Sequence, residues 1–188
     1  MNKKKQIFII GGGQTAAYAA KEIRSIDIDS QITIISDEQY LPYEKPPLSK
    51  DFLLDKITFD NLLFFPENFY KENKINFVSN TKVTNVDFDN KKISTSTKKI
   101  FYYDKLLIAT GSSNRHLRVK DDVILPEENI IYLRNSEESK ILKNKIKLSK
   151  NIIIIGGGFI GLEIASSASQ KDKNVTILEK GNQLMGRV

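Results

Sequence analysis

The 188-residue chain contains no cysteine, one histidine and no apolar run long enough to span a bilayer. Without cysteine it can build no disulfide framework, no thiolate nucleophile, no iron–sulfur ligation and no redox-active disulfide of its own. That absence fits a cytoplasmic location, which is the expectation. A membrane helix needs about 18 apolar residues, whereas Ile152–Ile155 runs straight into glycines. No membrane span is expected. The basic N-terminus is followed by only four apolar residues, Ile7–Ile10, too few for a secretory signal. The single histidine, His116, reads as a surface loop residue, and no metal site is expected. Lys and Arg number 29 against 23 Asp and Glu, a net charge of +6. The charges are interspersed rather than gathered on one face with aromatics between them, so no nucleic-acid partner is expected. The densest run, Lys140–Lys150, reads as the solvated side of a helix. A mildly basic surface can still speed encounter with an acidic protein.

What is present is 40% hydrophobic and 28% charged residues, enough for a core and too apolar for disorder. The dominant feature is an internal repeat. Gln6-Ile-Phe-Ile-Ile-Gly-Gly-Gly-Gln-Thr-Ala-Ala matches Asn151-Ile-Ile-Ile-Ile-Gly-Gly-Gly-Phe-Ile-Gly-Leu. Each copy is a continuous apolar run, then glycines, then a small-residue helix. Such runs suit a parallel sheet covered on both faces. Each copy reaches a second strand, Gln31–Ile35 and Asn174–Leu178, so both read as βαβ units. They lie too far apart for a solenoid. The expected fold is α/β, with two Rossmann-like, doubly wound, three-layer nucleotide-binding domains, residues 1–112 and 113–188.

Between the copies, Leu41-Pro-Tyr-Glu-Lys-Pro-Pro-Leu-Ser-Lys reads as a stiff loop in which two prolines fix φ and remove donors. Residues Ile75–Ile108 alternate apolar and polar side chains, with a turn signal at Asp89-Asn90, and predict a small β-meander. It closes with a strand expected to be buried, Lys105–Ile108. Asn135, with Glu138 three residues on, predicts a capped helix to about Ser149.

Gly11-x-Gly13-x-x-Ala16 follows a strand and opens a helix. The first glycine allows the tight turn, the second lets backbone approach a pyrophosphate, and the small third residue lets helix pack on strand. Free N–H groups at the helix N-terminus then face the phosphates. Asp37, with Glu38 beside it, supplies an acid for a ribose. The second copy is stricter: Gly156-x-Gly158-x-x-Gly161, with Glu179 ending its second strand. A carboxylate there accepts a ribose 2′-hydroxyl and repels a 2′-phosphate, which favours NAD over NADP. Lys180 beside it weakens that preference. Two dinucleotide sites in one chain point to electron transfer between the dinucleotides.

On these motifs the chain resembles the FAD-dependent reductases of the ferredoxin/rubredoxin/putidaredoxin reductase group. That group belongs to the pyridine nucleotide-disulfide oxidoreductase superfamily, and apoptosis-inducing factor is a relative. The resemblance rests on Gly11–Ala16, Ser36-Asp-Glu, the Leu41–Lys50 string, Ala109-Thr-Gly111, Tyr132-Leu-Arg134 and Ile155–Glu163. It implies that Gly11, Gly13, Thr15 and Ala16 hold FAD, with Asp37 at its adenosine ribose and Glu38 beside it in the cofactor site. Lys45 and Lys50 would lie along the flavin, Val83 against the adenine, Ala109, Thr110 and Gly111 beside the cofactor, and Arg134 would reach it too. NAD(H), as substrate, would take Gly156, Gly158, Phe159, Ile160, Gly161, Glu179 and Arg187. Lys50 near the flavin N5 edge, paired with Glu163, would be catalytic, and Glu163 would help orient the nicotinamide. The chain departs from the family's pattern at Lys45, where relatives carry Arg, at Ala16 for the third glycine, and at Ser113-Asn114 for an Arg-Pro pair.

Relatives in the superfamily that relay electrons through cysteine need side chains this sequence lacks. The resemblance therefore implies hydride transfer from nicotinamide to flavin and then single-electron steps to an external iron–sulfur or rubredoxin-type protein. It also implies a longer protein, of which these residues are the N-terminal half, with both nucleotide-binding domains incomplete. Two alternatives stay open: a truncated or decayed product that binds nucleotide without turnover, and a redox-signalling flavoprotein like apoptosis-inducing factor.

Overall fold

A computed structural model describes residues 4–117 and 127–186. The chain divides into two compact units, Met1–Glu44 with Leu62–Ser112, and Lys45–Asn61 with Ser113–Val188. Residues 45–61, which the sequence reading puts in the first domain, thus group with the second unit.

The first unit contains β1 (Gln6–Ile10), α1 (Gln14–Ile26), β2 (Gln31–Ile35), α2 (Glu67–Glu72), β3 (Ile75–Val78), β4 (Val83–Asp87), β5 (Lys92–Thr95), β6 (Ile100–Tyr102) and β7 (Lys105–Ile108). Strands order as β3-β2-β1-β7, all parallel. Side chains alternate across a strand, and β1 shows what that does. Ile9 packs with Ile32 and Ile34 against Ala16 and Ala20 of α1 and Tyr70 of α2. Phe8 and Ile10 face the other way, with Ile35, onto Ile93 of the antiparallel β4-β5-β6 sheet and Tyr103 just after it. Helices cover one face and the small sheet the other, giving three layers.

The predicted meander is narrower than its sequence signal. Only β4, β5 and β6 form it; β3 and β7 join the parallel sheet, because their apolar residues find partners on β2 and β1. The Asp87–Asn90 turn closes the first hairpin, with Asn90 N–H donating to Asp87 Oδ1 at 3.0 Å. Nor is β7 a buried strand: Ile108 is 54% exposed, since among the described residues β7 is an edge with β1 as its single strand neighbour.

Arg24 ends α1. Its guanidinium donates to the carbonyls of Asn73 (2.7 Å), Asp27 (2.9 Å), Ile28 (2.8 Å), Ser30 (2.9 Å) and Lys74 (3.2 Å). It thereby ties the end of α1 to the turn between α2 and β3. We expect Arg24→Ala to destabilise this unit by about 2 kcal/mol in denaturant titration, because orphaned carbonyls lose a charged donor. Lys should not restore it, since a point charge cannot replace a five-donor fork. A midpoint unchanged in Arg24→Ala would refute that role.

The second unit contains a 3₁₀ turn (Pro46–Ser49), α3 (Ser136–Leu148), β8 (Asn151–Ile155), α4 (Phe159–Ser169) and β9 (Asn174–Leu178). The prolines that predicted a stiff loop occupy the first positions of that 3₁₀ turn, where their missing N–H groups and fixed φ suit helix initiation. α3 starts on the expected capping box: Asn135 accepts from Glu138 N–H at 2.9 Å, and the Glu138 carboxylate accepts from Asn135 N–H at 3.2 Å. Leu53, Leu142, Ile146 and Ala168 form the core, joined by Ile152, Ile164 and Val175. β8 and β9 pair in parallel as a two-stranded sheet. One face carries that core, but Ile153 and Ile155 on the other are 67% and 63% exposed. The expectation of cover on both faces therefore fails for β8 among the described residues.

Asp55 links three elements of this unit at a left-handed φ of 62°. Its carboxylate lies 2.6 Å from the Lys143 ammonium and 3.4 Å from that of Lys171, and Lys143 also sits 4.5 Å above the Phe52 ring. The Lys143 hydrogen bond holds the Asp55 carboxyl below its ordinary value of 3.8. A depressed folded-state pKa means stabilisation present above about pH 4 and lost as pH falls through the folded value. The carboxylate is 61% exposed, which keeps the effect under about 1 kcal/mol. Asp55→Asn tolerates the same φ. It should lower the melting temperature slightly at pH 7 and match wild type near pH 2. A gap that persists in acid would refute the electrostatic account.

Candidate functional site

The two glycine loops are built alike. Gly11 has φ 114° and Gly156 has φ 106°, a region that L side chains rarely adopt. Gly11 N–H donates to the Ile35 carbonyl at 2.8 Å, and Gly156 N–H to the Leu178 carbonyl at 2.8 Å. In each unit the loop is thereby fixed to the end of the second strand. Gly13 and Gly158 then serve as N-caps of α1 and α4 in extended conformation, with no side-chain cap. A Cβ added at either glycine would meet no atom within 4 Å. Each loop thus presents uncapped helix N–H groups to open space, the requirement for an anion held by backbone.

The other glycine positions differ between the copies. A Cβ at Gly11 would lie 2.2 Å from the Ala109 carbonyl oxygen, so the Ala109–Gly111 turn packs directly on the first loop. The third position is the buried Ala16 in the first copy. In the second it is Gly161, where a Cβ would come 2.1 Å from the Gly156 carbonyl oxygen. Helix α4 lies closer to its own loop than α1 does, and the copies are not interchangeable at that position.

Around the first loop, Thr15 is exposed in the first turn of α1, and Thr110 and Gly111 are exposed beside it. Val83 packs against the cluster of Phe8, Ile10, Ile35, Ile93 and Tyr103. Asp37 and Glu38, adjacent in sequence, part company. Glu38 accepts a short hydrogen bond from the buried Tyr43 hydroxyl, and its N–H donates to Ser36 Oγ at 3.1 Å. Asp37 is exposed and makes no hydrogen bond or ion pair among the described residues. Tyr43 was not singled out by the sequence; the Pro-Tyr within the Leu41–Lys50 string was its only trace.

In the second unit, Glu179 accepts from Gly157 N–H at 2.7 Å with Oε2 and from Gly181 N–H at 2.8 Å with Oε1. Phe159 and Ile160 are exposed at the start of α4. Arg187 lies outside the described residues. Lys45 caps the 3₁₀ turn, and Arg134, half-buried, precedes α3. The structure does bring Lys50 and Glu163 together, with the ammonium 3.0 Å from Glu163 Oε1. Ser49 Oγ donates to Glu163 Oε2 at 2.5 Å. Lys50 and Glu163 line a cavity of about 410 Å³ together with Leu54, Phe159, Leu162 and Met185. Two further serines escaped the sequence reading: Ser139 Oγ donates to the Leu48 carbonyl at 2.7 Å and Ser167 Oγ to the Ser49 carbonyl at 2.8 Å. Small hydroxyls on otherwise apolar helix faces leave no distinctive pattern. His116 is exposed and stacks edge-on to Tyr132. Among the described residues no three acidic or histidine side chains converge as a metal site, and no helix is long and apolar enough to cross a membrane.

Paired strand–glycine–helix units with these loops define a dinucleotide-binding α/β protein. The profile of the pyridine nucleotide-disulphide oxidoreductase family matches residues 5–188, and the chain belongs to that family. It is 36% identical to the rubredoxin-NAD(+) reductase of Ectopseudomonas oleovorans over 182 residues, 97% of this chain and 46% of that protein. Among solved structures it resembles the covalent putidaredoxin reductase–putidaredoxin complex, with TM-score 0.92 and 29% identity over 100% of this chain and 45% of that one. A ferredoxin reductase from Rhodopseudomonas palustris matches with TM-score 0.90 and 33% identity, over 98% of this chain and 45% of that one. The chain thus spans less than half the length of the relatives it matches.

Proposed function

We propose that the chain forms the FAD- and NADH-binding part of a flavoprotein reductase that takes electrons from NADH and passes them to a small iron–sulfur or rubredoxin-type protein. The observation that carries this reading is the pair of equivalent cradles, each with a left-handed first glycine and an uncapped helix N-terminus facing open space. Those cradles fit a dinucleotide pyrophosphate: a Cβ would fill the approach, and among the described residues no side chain caps either helix. The bound flavin supplies the ability to accept a hydride and release electrons singly. The chain's own groups bind and orient. Gly11, Gly13 and Thr15 hold the FAD phosphates, with Ala16 letting the helix close behind them. Asp37, unencumbered, takes the ribose, and Tyr43 reserves Glu38 for holding the loop. Val83 and the Ala109–Gly111 turn border the adenine and the cofactor's flank. Lys45, Lys50 and Arg134 add positive charge toward the cofactor. Gly156, Gly158, Phe159, Ile160 and Gly161 receive NAD(H), and Glu179 disfavours a 2′-phosphate by charge.

The names of the relatives support an acceptor of rubredoxin or ferredoxin type, and the net charge of +6 suits an acidic partner. None of these 188 residues is a cysteine that could relay electrons out of the flavin. Purified full-length protein should be yellow, reduce ferricyanide with NADH, and prefer NADH to NADPH. A colourless protein without NADH oxidation would overturn the reading in favour of a nucleotide-binding remnant.

A further inference from the structure

Ser49 is 3% exposed, and its hydroxyl carries one proton with two acceptors in reach. The Pro46 carbonyl lies at 3.3 Å and Glu163 Oε2 at 2.5 Å. The shorter, charge-assisted bond takes the proton. The backbone that carries Ser49 is anchored twice, by Ser139 of α3 on the Leu48 carbonyl and by Ser167 of α4 on the Ser49 carbonyl. Lys50 approaches the other carboxylate oxygen at 3.0 Å.

We propose that Ser49 is the positioning residue of the Lys50–Glu163 pair. The inference rests on the proposed role of that pair and deepens it. A glutamate's terminal torsion is broad and nearly two-fold, and a lysine carries a flexible four-carbon stem. With side chains 48% and 26% exposed, the two would make a loose ion pair by themselves. Ser49 is short, buried and fixed at its backbone, so little rotamer freedom remains for it to lose. By donating to Oε2 it fixes the plane of the carboxylate and leaves Oε1 as the oxygen that faces Lys50. The ammonium then has one seat instead of a range of them. Asp51 and Lys56 also line the cavity, but they pair with each other at 3.8 Å.

Three variants of the full-length protein test this: Ser49→Ala, Glu163→Gln and the double variant. Stopped-flow reduction of the bound flavin by NADH should slow about tenfold in Ser49→Ala, with little change in the NADH concentration for half-saturation. In the Glu163→Gln background, removing the hydroxyl should slow it no further, because Ser49 acts through that carboxylate. Nitrogen-15 NMR of lysine ammonium groups, read without NADH, should show the Lys50 signal ordered in wild type and exchange-broadened in Ser49→Ala. Wild-type rates in Ser49→Ala alongside slow Glu163→Gln overturn the proposal. So does an equal fold-loss on both backgrounds, which marks a purely structural serine. Wild-type rates in Glu163→Gln overturn the reading of the pair itself, and the NMR comparison then shows whether Ser49 still holds the ammonium in place.

Discussion

Alanine at Gly13 is expected to leave the first unit folded while weakening its hold on FAD about 100-fold; alanine at Gly11 is expected to unfold it. The two glycines stand two residues apart in one loop, and the difference lies in where each Cβ would point. At Gly13 the backbone is extended and a methyl meets nothing within 4 Å. The fold pays only the loss of a favoured N-cap residue, about 1 kcal/mol. The same methyl occupies the approach that backbone N–H groups need for the pyrophosphate, and each displaced charge-assisted bond is worth about 1.5–3 kcal/mol. At Gly11 the φ of 114° and an Ala109 carbonyl oxygen 2.2 Å away leave no such room. Backbone strain and overpacking together should cost about 3–5 kcal/mol. Urea midpoints of the apoprotein and flavin-fluorescence titration separate the two quantities. Equal loss of stability in both variants would make Gly13 a folding residue, and unchanged FAD affinity in Gly13→Ala would remove the loop from the site.

This contrast marks how far the sequence could be read. The strands β1, β2, β8 and β9 were legible to the residue, because an apolar run ending in glycines has few alternatives. The α3 capping box was legible because Asn135 and Glu138 satisfy each other locally. Strands β3 and β7 were misassigned to the meander, since alternation in a short segment does not say which sheet it joins. The open faces of β7 and β8 were hidden for a related reason: Ile108, Ile153 and Ile155 read as core by type, and exposure depends on neighbours that a local pattern does not reveal. At the site, motif residues were visible and their partners were not. Lys50 and Glu163 lie far apart in sequence and were paired through family resemblance. Ser49, Ser139 and Ser167, which seat them, are ordinary serines until the fold brings them to a carbonyl or a carboxylate.

That seat determines what to expect of Lys50→Ala. Removing the ammonium takes from Glu163 its one cationic neighbour within 4 Å among the described residues, while Ser49 keeps the carboxylate where it is. The negative charge then stands uncompensated in the cavity, which the proposed function makes the place where electron density would arrive. Loss of a preorganised charge of this kind costs about 10²–10³ in rate when the site is closed. With the lysine 48% exposed, solvent screens part of it. We therefore expect flavin reduction by NADH to slow about 30-fold in the full-length protein, with FAD content reduced less than in Gly13→Ala because the glycine loop is untouched. Lys50→Arg should recover part of the rate, since it restores charge on a differently shaped head group. The double variant Lys50→Ala, Glu163→Gln should be faster than Lys50→Ala alone, because it removes the uncompensated charge along with its partner. If the double variant is slower still, the carboxylate contributes to the transfer independently of the lysine, and the pair is not the functional unit. Stopped-flow traces of the four proteins at one NADH concentration above saturation are sufficient to decide between the two.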